Sequence, residues 1–451
     1  MPPAGTVYIE NLGCAKNQVD AETMGNRLTA VGWEWTHQAD RATLILVNTC
    51  GFIEDAQQES IDVTLQLLAE FPDTPVALTG CLAQRFANDL ADGMPEIAGV
   101  FGNRDPARID EFVARLGAGT GTPVIWLPEG ASLDGPHRHI RLSTPRSAYI
   151  KVAEGCDHHC SFCAIPAIRG ALRMRPADDI LAEFRRLRVD GVFEFNLIAQ
   201  DLAAWRDGDG HTLEYLLRRL LAEDGRFWIR LLYLYPDTFP DGILRLAQDD
   251  PRLVPYFDLS FQHAASRVLH HMGRPGDAAL YLDLIARIRS HLPDVALRSS
   301  FIVGFPGETD TDVAELEAFL EAATLEWVGV FTFSPQEGTA AARSSRERVS
   351  RAVAEERRTR IADLQAGLTA DRLRRFVGRR IEVLVEEPFP ADALALGRSS
   401  LQAPDVDGLV VLHGAAGVRA GDVVQATVTG VTGVDLQAQC LPARAVEAPP
   451  A

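Results

Sequence analysis

With 451 residues, 47% of them hydrophobic and 24% charged, the chain has apolar material for roughly two to four packed domains and does not have the composition of a disordered protein. Its formal net charge of −18, from 62 acids against 44 bases, is the opposite of the basic footprint of a protein that depends on phosphate contacts and suits a basic protein partner better, with a local basic groove left open. No apolar run reaches the ~20 residues of a membrane span, and "MPPAGTVYIE" lacks the design of a signal peptide. The expectation is a cytoplasmic protein with no membrane partner. There thiols stay reduced, so the seven cysteines, an odd number, read as metal or redox ligands rather than disulfides. The only lysines are Lys16 and Lys151, a bias to which no functional reading attaches.

Residues 6–10, 43–47 and 75–79 are short apolar or β-branched runs separated by helical patterns, which predicts an open parallel α/β sheet over residues 1–127. One cysteine follows each run: Cys14 in "NLGCAKN", Cys50 in "VNTCGFIE" and Cys81 in "TGCLAQR". The carboxyl ends of parallel strands share one edge, so the three thiols either meet there as a metal site, the favoured reading, or fill small spaces in the core. Residues 128–146 are rich in turn formers and basic residues and read as a linker. From Ser147 the strand–helix alternation resumes through "AYIKVAEG", "FEFNLIAQD", "WIRLLYLYP", "FDLSFQH", "VALRSSFIVGFPGE" and "WVGVFTFSP", which predicts a partial or complete β/α barrel. With the charged helical run 347–376 this unit spans 147–376. Short alternating strands then predict a small antiparallel β-barrel over 377–444, followed by a disordered tail, 445–451.

The densest chemistry is Cys156-x3-Cys160-x2-Cys163, in the loop after the first barrel strand. Three thiolates at this spacing bind metal. Structural zinc needs a fourth ligand, which His158 or His159 would have to supply, whereas a lone triplet leaves one iron of a four-iron cluster free for an exogenous chelate. The triplet, with Phe162 before its last cysteine, resembles the signature of radical S-adenosylmethionine (SAM) enzymes. The resemblance implies a [4Fe–4S] cluster on Cys156, Cys160 and Cys163 whose open iron binds SAM. It also implies that Glu194 meets the SAM amino group and that residues 301–308, "FIVGFPGE" with Gly304, line the adenine. Arg230, Arg298 and Gln200 become candidate SAM contacts. The alternatives are a barrel ion pair for Glu194 with Arg230, a turn for "GFPGE" and a helix cap for Gln200–Asp201.

"LGCAKNQVDAE", "VNTCGFIEDAQQES", "TGCLAQR", "KVAEGCDHHCSFCAIPAIRG" and "IVGFPGE" together, in this order, resemble the methylthiotransferases, most closely the RimO type acting on an aspartate of ribosomal protein S-twelve. The final barrel looks like that family's TRAM domain. The resemblance implies a second [4Fe–4S] cluster on Cys14, Cys50 and Cys81 that carries the sulfur. It implies insertion of a methylthio group at an unactivated C–H, the β-carbon of that aspartate, with one SAM donating methyl and another generating the radical. Side-chain bases cannot remove such a hydrogen, and homolysis can. The implied partners are the basic ribosomal protein, on the small subunit, and a flavodoxin or ferredoxin-type reductant. Residues 377–444 hold five arginines and eight acids, which disfavours phosphate binding and leaves direct RNA contact open. A tRNA adenosine methylthiotransferase shares both cysteine motifs and is the rival, and a non-catalytic two-cluster electron carrier is the alternative of another class. Cys440 reads as a core filler, and His158 and His159 as solvated loop residues. Arg169 and Arg175 either steer an acidic side chain or stay solvated, and Gln262–His263 and Ser334–Glu337 sit at strand ends without an assigned role.

Overall fold

The run at Leu44–Thr49 is apolar at consecutive positions rather than alternate ones, the pattern of a strand covered on both faces. In the computed structural model, which describes residues 5–117, 121–130, 133 and 137–442, it is a central strand of the first sheet. Ile45 and Val47 face one apolar layer with Leu67 of the helix Glu54–Glu70, and Leu44 and Leu46 face the other with Met24 and Leu28 of the helix Ala15–Ala30. The sheet is wholly parallel, in the order Trp33–Thr36, Gly5–Asn11, Leu44–Thr49, Val76–Thr79, Gly99–Phe101, Val124–Trp126. The three expected strands are present. Trp33–Thr36, Gly99–Phe101 and Val124–Trp126 were not anticipated, because none of them is a run of four or more consecutive apolar or β-branched residues as Val76–Thr79 is.

All six expected barrel strands form a second parallel sheet, ordered Trp327–Thr332, Ala296–Val303, Leu253–Gln262, Trp228–Leu234, Glu194–Ile198, Ser147–Lys151. Its first and last strands do not pair, so the barrel is partial. Alternate residues separate its faces: Ala148 and Ile150 join the helix-covered core, while Tyr149 points to the concave side with Trp228, Tyr256 and Trp327. The long helix Arg351–Leu373, capped by the Ser350 hydroxyl, closes this unit. No helix among the described residues is long and apolar enough to cross a membrane.

The terminal five strands, Arg380–Phe389, Leu394–Arg398, Val410–His413, Asp435–Cys440 and Val423–Thr432, close into a barrel. A closed ring of five cannot alternate direction throughout, and the pair Val410–His413 with Asp435–Cys440 is parallel where an antiparallel barrel was expected. Cys440, expected in this barrel's core, is half-buried at a strand end. The tail 445–451 and residues 131–132 and 134–136 of the expected linker lie outside the described residues. Within 137–146, the buried Arg138 guanidinium bonds to Glu22 and lies 2.5 Å from Glu183, so this segment ties the helix Ala15–Ala30 to the helix Ala177–Val189.

The terminal barrel inserts its segment 398–407 into the concave face of the second sheet. Leu401 and Ala403 pack there, and Trp327 donates its indole N–H to the Leu401 carbonyl at 2.7 Å. Arg398 reaches Glu194 at 2.7 Å, Arg230 reaches the same carboxylate at 2.9 Å and donates to the Ser399 and Ser400 carbonyls, and Ser147 donates to it at 2.9 Å. Glu194 and Arg230 are fully buried. The expectation that Glu194 meets SAM, with Arg230 nearby, is thereby corrected. Glu194 opens its strand, at the end opposite the cysteine loops, and both its oxygens are held by charged partners. Arg298 is likewise committed, 3.0 Å from Asp258 and 3.3 Å from Asp407.

Burial alone would raise the Glu194 carboxyl, but the charges of Arg398 and Arg230 outweigh it and hold the group at about 2, below its ordinary 4.5. A depressed folded-state value means the network contributes fully above pH 4.5 and loses its contribution as pH falls toward 2. Glu194→Ala leaves the buried Arg230 guanidinium without an acid and Arg398 with Glu386 alone, and is expected to cost about 3–5 kcal/mol in denaturant unfolding near neutral pH. Its stability should change less than that of the parent between those pH values.

Candidate active site: two cysteine triads at one barrel mouth

Cys14 precedes the helix Ala15–Ala30 as its N-cap residue, Cys50 follows Leu44–Thr49, and Cys81 lies in the short helix Gly80–Arg85 after Val76–Thr79. The three strands are direct neighbours, which brings the thiols to one edge. Gly13, at φ +99°, lets the first loop approach Cys50 so closely that an added Cβ would stand 3.3 Å from its Sγ. Asn17 joins the three loops: its Nδ2 donates to the Leu12 and Thr49 carbonyls at 2.9 Å, and its Oδ1 accepts from Cys81 Sγ at 3.2 Å. Asn103 Nδ2 donates to the same sulfur at 3.3 Å.

Cys156, Cys160 and Cys163 occupy the loop between the short strand Ala153–Glu154 and the helix Ile165–Arg169. The Cys163 amide donates to the Cys160 carbonyl at 3.1 Å, and Ser161 is pinned between the Met272 carbonyl and the Ala341 amide, each at 2.8 Å. Around Cys160 Sγ stand the Tyr235 hydroxyl and the Arg274 guanidinium, each at 3.7 Å, with Arg274 stacked 3.9 Å over the Tyr235 ring. His158, expected to be solvated, instead stacks on Tyr235 at 4.0 Å and lies 2.7 Å from the buried Asp201.

One residue joins the two triads. Arg169 ends the helix that follows Cys163, is 2% exposed, and donates to Cys81 Sγ at 3.4 Å and Asn17 Oδ1 at 2.8 Å. It also pairs with Asp20 at 2.9 Å and Glu154 at 3.0 Å, both of which pair with Lys151 as well. Ile168 of the same helix and its N-cap residue Ala164 pack on Cys81. Arg175 is buried against Glu183, so neither of these arginines is solvated.

Burial pushes the Cys81 and Cys163 thiols up to about 12 and raises Cys50 and Cys156. A bound cation reverses that penalty, since a coordinating thiol is deprotonated outright. All seven cysteines are free. Among the described residues the only trio of potential ligands with all donor atoms within 4.8 Å is Asp207, Asp209 and His211, so neither cysteine triad closes to that span. A single zinc with bonds of about 2.3 Å would draw its sulfurs closer than this. A four-iron cluster takes each thiolate on a different iron and so does not require the sulfurs to meet around one ion.

Among the remaining expected contacts, Gln200 stands at the rim, its Nε2 donating to Glu154 at 2.8 Å and its buried Oε1 without a partner, as a ligand's donor would require. Phe162 packs on the barrel core. Gly304, at φ +76°, has a local structural reason: a Cβ there would stand 2.5 Å from Ala354. It also lines a cleft of about 610 Å³ with Ile53, Phe333 and Ser334. His263 is buried beside Glu308, and Gln336 accepts from Gln57 and Arg85, joining the first domain to the barrel. Asn17, Tyr235 and Arg274 were missed. Asn17 lies inside a motif already singled out for its cysteine, whereas Tyr235 and Arg274 carry no sequence signal and reach the loop only through the fold.

Three family models match the chain: the one described as uncharacterized protein family UPF0004 over residues 6–102, the radical SAM superfamily over 150–320, and the TRAM domain over 377–441. Among solved structures, the fold resembles the radical SAM methyltransferase TsrM from Kitasatospora setae, with a TM-score of 0.57 and 13% identity over 74% of this chain and 76% of that one. Fold and site thus define a radical SAM enzyme, a class that carries a [4Fe–4S] cluster and uses SAM. Curated relatives named ribosomal protein uS12 methylthiotransferase RimO include that of Treponema denticola, 41% identical over 94% of this chain and 98% of its own length. That of Desulfotalea psychrophila is 40% identical over 95% and 98%. The chain belongs to the RimO family of radical SAM methylthiotransferases.

Arg169→Met leaves Lys151 as the one cation for both Asp20 and Glu154 and is expected to destabilise the protein by about 3 kcal/mol in thermal or denaturant unfolding. Arg185→Ala, at an exposed pair with Glu223, should leave the transition unchanged.

Proposed function

We propose that this protein inserts a methylthio group at the β-carbon of an aspartate in ribosomal protein uS12, on the small subunit, with Cys156, Cys160 and Cys163 holding the SAM-binding cluster and Cys14, Cys50 and Cys81 a second one. The observation that carries this reading is the Arg169 link: a residue of the central cysteine helix donates to a sulfur of the other triad, so the two donor sets serve one reaction space. Identity near 40% over about 95% of the chain to relatives of that name supports the substrate. When bound, SAM and the two clusters supply a hydrogen-atom abstractor, a methyl group and a sulfur atom.

The chain's own residues hold and enclose that space. Asn17 and Asn103 orient the Cys81 sulfur, Tyr235 and Arg274 flank Cys160, and the Gln200 carbonyl is left to accept from a ligand. The segment 398–407 fills the concave face from below and keeps water from entering by that route. The protein's net acidity of −18 attracts a basic polypeptide. The terminal barrel offers few free cations to RNA, since Arg398 is buried on Glu194 and Arg379 pairs with Asp294 at 2.6 Å. The reductant is a flavodoxin or ferredoxin-type protein.

Replacing Cys14, Cys50 and Cys81 together by alanine should remove about half the iron and all methylthio product while SAM is still cleaved to 5′-deoxyadenosine. Alanine at Cys156, Cys160 and Cys163 should abolish that cleavage. Deleting the gene should remove the methylthio mass increment from uS12. Its loss from tRNA nucleosides instead, with uS12 unchanged, overturns the substrate.

A further inference from the structure

Lys16, two residues after Cys14, is 7% exposed. A buried ammonium ordinarily has an acid against it, as Lys151 has in Asp20 at 2.6 Å and in Glu154. Among the described residues, Lys16 Nζ has no hydrogen-bond or ion-pair partner. The ammonium lies over the face of Tyr233, whose ring centroid is 2.8 Å away. The acids whose charges reach it, Asp258 and Glu154, are engaged elsewhere: Asp258 by Arg298 and the Tyr233 amide, Glu154 by Lys151, Arg169 and Gln200.

Tyr233 is also held out of the ordinary. It adopts φ 64° near the carboxyl end of its strand, a left-handed conformation that a tyrosine keeps only where its surroundings enforce it. The Tyr233 amide donates to Asp258 at 3.1 Å, and the ring supports the ammonium. Cys14 lies within electrostatic reach of both Lys16 and Tyr233, so this cation stands where the first triad meets the barrel rim.

We propose that Lys16 receives the side-chain carboxylate of the substrate aspartate and is the residue that selects it, an inference that rests on the function proposed above. A largely buried cation with no acid paired to it, and with the Arg169 guanidinium within electrostatic reach, is a site for an anion. The carbon to be modified is bonded to the carboxyl carbon, so fixing that carboxylate beside Cys14 sets the reacting carbon between the two triads. SAM also carries a carboxylate, but its chelating end belongs at Cys156–Cys163, whereas Lys16 shares the loop and helix of Cys14. An asparagine in place of the aspartate has the same shape and no charge, so the site rejects it.

The test compares kcat/KM for uS12 and for uS12 carrying asparagine at the modified position, using full-length reconstituted enzyme. The parent should prefer aspartate by roughly 10- to 100-fold, the range of a charge-assisted hydrogen bond. Lys16→Met should bring that ratio close to one by raising KM for the aspartate protein, Lys16→Gln should lower it, and Lys16→Arg should keep most of it. The ratio does not depend on the fraction of active enzyme, so partial misfolding leaves it unmoved. A Lys16→Met enzyme that keeps the parental ratio overturns the inference, and so does one whose KM rises for SAM alone. A parent enzyme that modifies neither protein overturns the proposed function, and the inference with it.

Discussion

The Arg169 guanidinium is buried where the carboxyl edges of two parallel sheets face each other, and the geometry of the site depends on its being answered there. A charge removed from water must be met in full, and Arg169 is met from both sides: Asp20 and Asn17 from the first domain, Glu154 from the barrel. Any displacement of one sheet against the other would leave at least one of these charges unpaired in a low-dielectric interior. Because the same guanidinium also donates to Cys81, the docking of the domains and the placement of the first triad are set by one constraint. Arg138, between Glu22 and Glu183, repeats the arrangement farther along the same interface.

The concave face of the open barrel presents the complementary problem. Six strands leave aromatic side chains, a carboxylate and two arginines uncovered, and the terminal barrel supplies both apolar and charged cover through residues 398–407. This explains why a basic residue of that barrel is turned inward: Arg398 neutralises Glu194 at the base of the barrel, away from the cysteine loops. The opposite rim is thereby left as the open side, where the buried Gln200 Oε1 and the Lys16 ammonium have no hydrogen-bond partner among the described residues.

Much of this was legible beforehand. Hydrophobic period identified both parallel sheets and the small terminal barrel, the position of cysteines after strands singled out two triads, and ordered motifs gave the family. Glu194 was misplaced because its position in the sequence marks it as a strand residue without saying which end of the barrel its strand presents. Lys16 was passed over as compositional bias. An unpaired charge is a property of neighbours, and Tyr233, Asp258 and Glu154, which the fold brings to Lys16, are each more than a hundred residues away.

Local chemistry is written in local sequence: thiol spacing, the alternation that makes strands, and the glycines that let loops approach are all set by residues a few positions apart, and the chain determined them by itself. Strand order, the end of the barrel that receives the terminal domain, and which buried charges find partners are sums over distant segments. Those were decided only in the folded structure, because the energy of a buried charge depends on what stands around it rather than on what precedes it in the chain.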